Sequence, residues 1–185
     1  MPRDLSRFIA PDLVDSTCTE CGAKAPDEFA SCDELFMSIL TPLGLRWDES
    51  PDIAILHRLV VDTFAMQHPK RSCESAKSYA AHLTGLCCGV EYNGARSIQA
   101  ALQRWLNGPA EAIGITRPTE PDDRGALTIR YIYDADKADR SGQRHPAESE
   151  AEFAARVHEW AGEVWEAYSS QHEIARNWIR QAIGE

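Results

Sequence analysis

Cys18-Thr19-Glu20-Cys21 is followed at once by Gly22, and this short stretch has the most specific chemistry in the chain. Two residues between cysteines let both sulfurs point at one ion, and the glycine lets the backbone turn beneath them. A closed structural zinc site takes four such ligands, and Cys32 is the natural third. A thioredoxin-like redox pair fits less well. That motif opens a long helix after a strand, whereas here Gly22 is soon followed by Pro26. The plain alternative is a set of ordinary buried thiols.

The fourth ligand is sought in the most apolar long stretch, Pro51 to Pro69, which carries His57, Asp62, Gln67 and His68. In a helix the two histidines share a face, offset by about 20°, but stand about 16 Å apart along the axis. One ion cannot take both. If the first two helices form an antiparallel pair, Cys32 lies at the end far from their connection, and His57 is expected to be nearer to it in level. The expected metal set is therefore Cys18, Cys21, Cys32 and His57, with His68 as the alternative to His57.

Asp62 is a lone carboxylate in an apolar helix, and burial is costly unless it is paired. Arg58, one turn back, and His82, from the next helix, are the candidate partners. As structure, this is an ion pair or a cap. As function, Asp62, His68 and His82 are catalytic candidates and Gln67 lines the same pocket. Asp62 would then orient an imidazole that acts as a base or as ligand to a second metal. His82 alone reads as a satisfied core histidine. His158, Trp165 and His172, at heptad spacing, read as packing.

These residues need elements to hold them. Ser31 with Glu34 has capping-box spacing for a first helix, which Pro42 and Gly44 should end. Ser50-Pro51 opens a second helix that is apolar nearly all round and so belongs at the centre. Ser72 can cap a third helix to about Glu91, and Ala95 to Leu106 reads as a fourth. Residues 107–148 read as a long surface excursion. Within it, Leu127 to Tyr133 (L-T-I-R-Y-I-Y) alternates like a strand, the single short β element expected. Ser149 with Glu152 opens a helix expected to run to Ile183. Residues 1–17 read as an arm.

The chain has 185 residues, enough for one domain with a proper core. Its net charge of −10 argues against nucleic acid as a partner, since phosphate binding needs clustered Lys and Arg. No stretch of about 18 apolar residues offers a membrane span, and no secretory leader is visible, so the expected setting is cytoplasmic. Six cysteines could make three disulfides, but Cys87 and Cys88 are adjacent, and a bond between neighbours is strained. Several motifs are missing: a Glu-x-x-His pair, H-E-x-x-H, a phosphate-cradling glycine loop, a Rossmann fingerprint and a G-x-S-x-G elbow.

The C-x-x-C-G turn, the later cysteine, the run H-R-L-V-V-D-T-F-A-M-Q-H-P and the following A-H-L resemble an uncharacterised bacterial family. That family is a domain of unknown function marked by V-D-x-[aromatic]-x-x-Q-H-P, and W-A-G-E-V-W-E-A-Y-S-S-Q-H looks like its closing helix. The resemblance carries over Cys18, Cys21, Cys32, His57, Asp62, Gln67, His68 and His82. Phe64 stands where the motif has tyrosine, so no phenol role transfers. The resemblance implies a zinc-type knuckle on a small helical fold and brings no activity with it.

Together these features predict a mainly α, compact, single domain over residues 1–185, with a zinc knuckle at 18–32. The preferred function is a zinc-stabilised binding or interaction module whose interhelical polar pocket takes a small molecule or protein. The alternative is a small metal-dependent hydrolase or lyase using Asp62, His68 and His82.

Overall fold

The computed structural model describes residues 17–26, 28–46, 48–108, 114–140 and 146–185, with backbone only for 135–140 and 146–149. The described residues are mainly helical. In order come α1 (Cys32–Leu45), α2 (Pro51–Gln67), the single turn α3 (Pro69–Ser72), α4 (Ala76–Glu91), α5 (Arg96–Leu106), α6 (Ile129–Arg140), α7 (Pro146–Ala167) and α8 (His172–Ile183). The only β pairing among them is one isolated antiparallel bridge, Thr17 to Lys24.

Local chemistry starts these helices where serines stand free to cap. Ser31 Oγ accepts from Glu34 N, Ser50 Oγ from Ile53 N and Ser75 Oγ from Ser78 N. Each satisfies one of the amide donors that a helix start leaves open. The third cap is Ser75 and not Ser72, because Pro69–Ser72 forms its own short turn first. Pro42 does not end α1; the helix carries it internally and closes at Leu45.

As its composition demands, α2 is central, and it packs on α1, α4 and α7. Its approach to α4 is close because α4 offers two glycines a turn apart. A Cβ on Gly89 would stand 2.5 Å from Leu59 Cδ1. On the other flank Tyr168 donates to the Met66 carbonyl at 2.6 Å, and Trp160 Nε1 donates to Gln67 Oε1 at 3.0 Å. Both rings are fully buried.

The expected strand at 127–133 does not form: Leu127 and Thr128 lead into α6, and residues 129–133 are its first helical residues. Ile129, Ile132 and Tyr133 are buried, which is i, i+3, i+4 spacing, and they serve one helical face. The sequence L-T-I-R-Y-I-Y satisfies both periods. A strand without a partner leaves its backbone unpaired, whereas a helix bonds its own, so the helix wins. The long C-terminal helix is also interrupted. It starts at Pro146, so Ser149 falls inside its first turn, and a 3-10 turn at Ser169–Gln171 separates α7 from α8. Trp165 and His172 stack across that break, with centroids 3.9 Å apart, in line with a packing role; His158 is exposed.

Candidate metal centre

Residues 18–23 form a tight turn in which Cys18 N donates to Ala23 O and Gly22 N to Cys18 O, both at 2.8 Å. Gly22 takes φ +72°, the left-handed region where a side chain is strained, so the glycine after Cys21 is a backbone requirement. The turn is braced by α6: Arg130 Nη1 donates to the Lys24 carbonyl at 3.1 Å, and Phe29 meets Tyr133 edge-on at 5.3 Å.

Cys32 is the first residue of α1, where open amides and the helix dipole favour a thiolate. His68 is the residue at which α2 stops. Pro69 cannot continue the bonding pattern, and His68 leaves the helix with φ −128° and ψ 49°. Cys18, Cys21, Cys32 and His68 thereby converge, with one ligand atom from each lying within 4.8 Å of all the others. Such a group could hold a metal ion. All six cysteines are free thiols; Cys32 is buried, and Cys18 and Cys21 partly so.

The imidazole of His68 is fully buried and set for ligation. Its Nδ1 lies 2.7 Å from the Phe64 carbonyl, which can only accept, so Nδ1 carries the proton. The lone pair is then on Nε2, which lies 3.5 Å from Cys32 Sγ on the cluster side. A backbone bond of this kind fixes the tautomer and ring plane of a metal-ligating histidine.

Arg71, on α3, neutralises the sulfurs. Its Nη2 donates to Cys32 Sγ at 2.8 Å and to Cys18 Sγ at 3.4 Å, while Nη1 donates to Asp33 Oδ2 at 2.6 Å and Nε lies 3.4 Å from Glu20 Oε1. The hydrogen bond from Cys21 holds the Cys32 thiol down to about 3, against the opposing effect of burial and with help from His68. Cys21 is pushed up as the other half of that pair, and burial adds to it. Cys32 is thus the member of the pair that gives up its proton more readily, and a bound cation would displace the proton from Cys21 as well.

His57, the expected fourth member, is not in the cluster. It lies near the other end of the α1–α2 pair, where a Cβ on Gly44 would sit 3.5 Å from its Nε2. The antiparallel pairing of α1 and α2 expected from the sequence is present, but it has the reverse of the expected consequence: the start of α1 meets the end of α2, so Cys32 faces His68 while His57 lies by Gly44 near the turn. Burial lowers the pKa of His57.

Asp62 does have both of the partners proposed for it. His82 Nδ1 lies 2.9 Å from Oδ1, and Arg58 Nε lies 3.8 Å from Oδ2. Burial raises its pKa against the pull of His82. Oδ2 accepts no hydrogen bond. Gln67 is engaged elsewhere: Nε2 donates to the carbonyls of Arg124 and Leu127, and Oε1 accepts from Trp160. Its amide therefore ties the 124–127 segment and α7 to α2 and does not line an open pocket. The four expected pocket residues thus divide into three places: His68 at the cluster, Gln67 in the core, and Asp62 with His82 between α2 and α4.

The sequence reading missed Arg71, Glu20 and Asp33. The signal was present, since Lys70-Arg71 directly follows the Q-H-P motif and any ligand there brings its neighbours with it. Glu20 also accepts from Lys70 N at 3.0 Å, which locks the knuckle to α3. Among the described residues no helix is long and apolar enough to cross a membrane.

No curated protein and no solved structure matches the chain. A family model does, over residues 16–169, a span that holds the knuckle, the α2 motif and the Asp62–His82 pair. The chain accordingly belongs to that family, described as a family of unknown function (DUF5946).

Proposed function

We propose that the protein is a zinc-stabilised helical binding module, in which the metal serves the fold and an interhelical groove serves the ligand. The observation that carries this reading is the composition of the cluster: three thiols and one imidazole, drawn from the knuckle, α1 and the end of α2. Thiolate and imidazole donors favour zinc among the common ions, and four protein ligands make a closed structural site with no position left for water. Three thiolates and Zn²⁺ leave one negative charge, and Arg71 sits where it balances that charge.

The ion would join the knuckle, α1 and the end of α2 at one point, adding its binding energy to the folding of residues 18–32 beside the packing of Ala23 and Phe29. The test is metal analysis of protein made without a polyhistidine tag. About one zinc per chain is expected, falling to near none in Cys18→Ser. Zinc-free wild-type protein, or full retention in that variant, overturns the reading.

The second reading, a small metal-dependent hydrolase or lyase using Asp62, His68 and His82, draws support from the Asp62–His82 bond. Its weakness is His68, whose two ring nitrogens both have structural tasks: Nδ1 on a carbonyl and Nε2 toward the sulfurs.

A further inference from the structure

The Asp62–His82 pair is not part of the metal cluster, and it borders a groove of about 290 Å³ between α1, α2 and α4. The groove walls are Phe36, Met37, Val61, Phe64 and Ala65, and His82 is the imidazole among its lining residues. Asp62 behind it is almost wholly buried, and the His82 side chain keeps 24% exposure. Because a carboxylate accepts, the proton between them is on His82 Nδ1 when the ring is neutral. The lone pair is then on Nε2, to which nothing among the described residues bonds.

A carboxylate behind an imidazole locks its tautomer and fixes the direction of the far nitrogen. The charges around the groove decide what it would accept. The Asp33 carboxylate on the lining is held by Arg71 at 2.6 Å, and Asp62 behind the ring has Arg58 at 3.8 Å, so the local charges are already paired. A charged head would find no uncompensated counter-charge there, and a head without a donor would leave Nε2 unmatched. Exposed Met37, at 51%, offers a polarizable thioether to an aromatic face.

We propose that this groove binds a neutral, single-ring aromatic hydroxyl compound of the phenol class, whose O–H donates to His82 Nε2 while the ring lies on the apolar walls. The proposal rests on the binding-module reading and names the ligand class of its groove; it does not depend on which metal fills the knuckle.

The experiment is a phenol titration of ¹⁵N-labelled, metal-replete protein at pH 8, followed by long-range ¹H–¹⁵N spectra of the imidazoles. The expected result is a His82 ring protonated at Nδ1, with an Nε2 resonance that moves saturably with phenol. Toluene, of the same shape without the hydroxyl, should bind about tenfold more weakly, as loss of one buried hydrogen bond implies. Benzoate should also be weaker than phenol. His82→Leu, which removes the acceptor at a partly exposed position, should keep the fold by circular dichroism and lose the preference for phenol over toluene.

A ring protonated at Nε2, equal binding of phenol and toluene, or no saturable shift overturns the proposal. Loss of the groove with zinc content intact sinks only this inference. Intact phenol binding in zinc-free protein sinks only the knuckle.

Discussion

Asp62 on α2 lies flat against Gly85 on α4, so close that a Cβ on Gly85 would stand 2.1 Å from Asp62 Oδ2. The carboxylate thus occupies the space that any other residue at 85 would fill, and the missing side chain lets it reach His82 one helical turn away. Gly85→Ala should push Asp62 off its seat. We expect a loss of about 1–3 kcal/mol in stability, as overpacking of a core costs, and a His82 ring no longer fixed in one tautomer. Denaturant melts with imidazole NMR read both. An unchanged tautomer would show that Asp62 does not set it.

The two histidines of α2 should separate cleanly. His68→Ala should release the metal, while His57→Ala should leave metal content at the wild-type level. Elemental analysis of the two purified variants decides between them. Equal loss from both would contradict the register of α1 on α2.

Arg71→Ala keeps all four ligands but strips the charge that faces Cys32 and Cys18. Removing a partner of that kind typically weakens metal affinity about 10–100-fold. Competition with a chromophoric chelator should show it, and Arg71→Lys should recover only part, because a point charge cannot bridge sulfur, Asp33 and Glu20 together.

Gln67→Leu should be among the most damaging changes that leave the cluster and the groove alone. It strands the Trp160 N–H and the carbonyls of Arg124 and Leu127, each a polar group in or near the core. Unmet buried groups cost about 1–3 kcal/mol each, so a fall of at least about 2 kcal/mol in unfolding free energy is expected. Phenol binding measured well below the melting temperature should hardly move.

Glu91 ties three elements: Oε1 accepts from Trp165 Nε1 at 3.0 Å, and Arg176 donates to both oxygens at 2.6 and 2.9 Å. Arg176, against the smaller effect of burial, holds the Glu91 carboxyl below its ordinary 4.5. A lowered folded-state pKa contributes stability above pH 4.5 that is lost as pH falls through the folded value. Glu91→Gln should therefore cost about 1 kcal/mol at pH 7, discounted for solvent screening, and progressively less in acid below pH 4.5. A cost that stays constant in acid would mean that the hydrogen bonds matter and the charge does not.

Much of this protein was written locally. The serine caps at Ser31 and Ser50, the all-round apolarity of α2 and the stop at Pro69 depend on neighbours within a few residues, so the sequence carries them directly. The C-x-x-C-G turn is equally local, since glycine is the residue that adopts the left-handed backbone at position 22 without strain. The need of Asp62 for Arg58 or His82 also followed from the sequence, because a buried charge must be met from the nearest available faces.

What failed did so wherever two local answers were equally good and a distant contact chose. Leu127 to Tyr133 satisfies both a strand and a helix, and the buried seats of Ile129, Ile132 and Tyr133 selected the helix. His57 and His68 share one helical face, and the antiparallel pairing with α1, foreseen from the sequence, puts the end of α2 and so His68 beside Cys32, against the choice of His57. Gln67 reads as polar and available until Trp160, 93 positions later, takes its amide oxygen. Of the arm expected over residues 1–17, residues 1–16 lie outside those described. Spacing along a helix fixes which side chains are neighbours on one surface; which surface they meet is a property of the packed molecule alone.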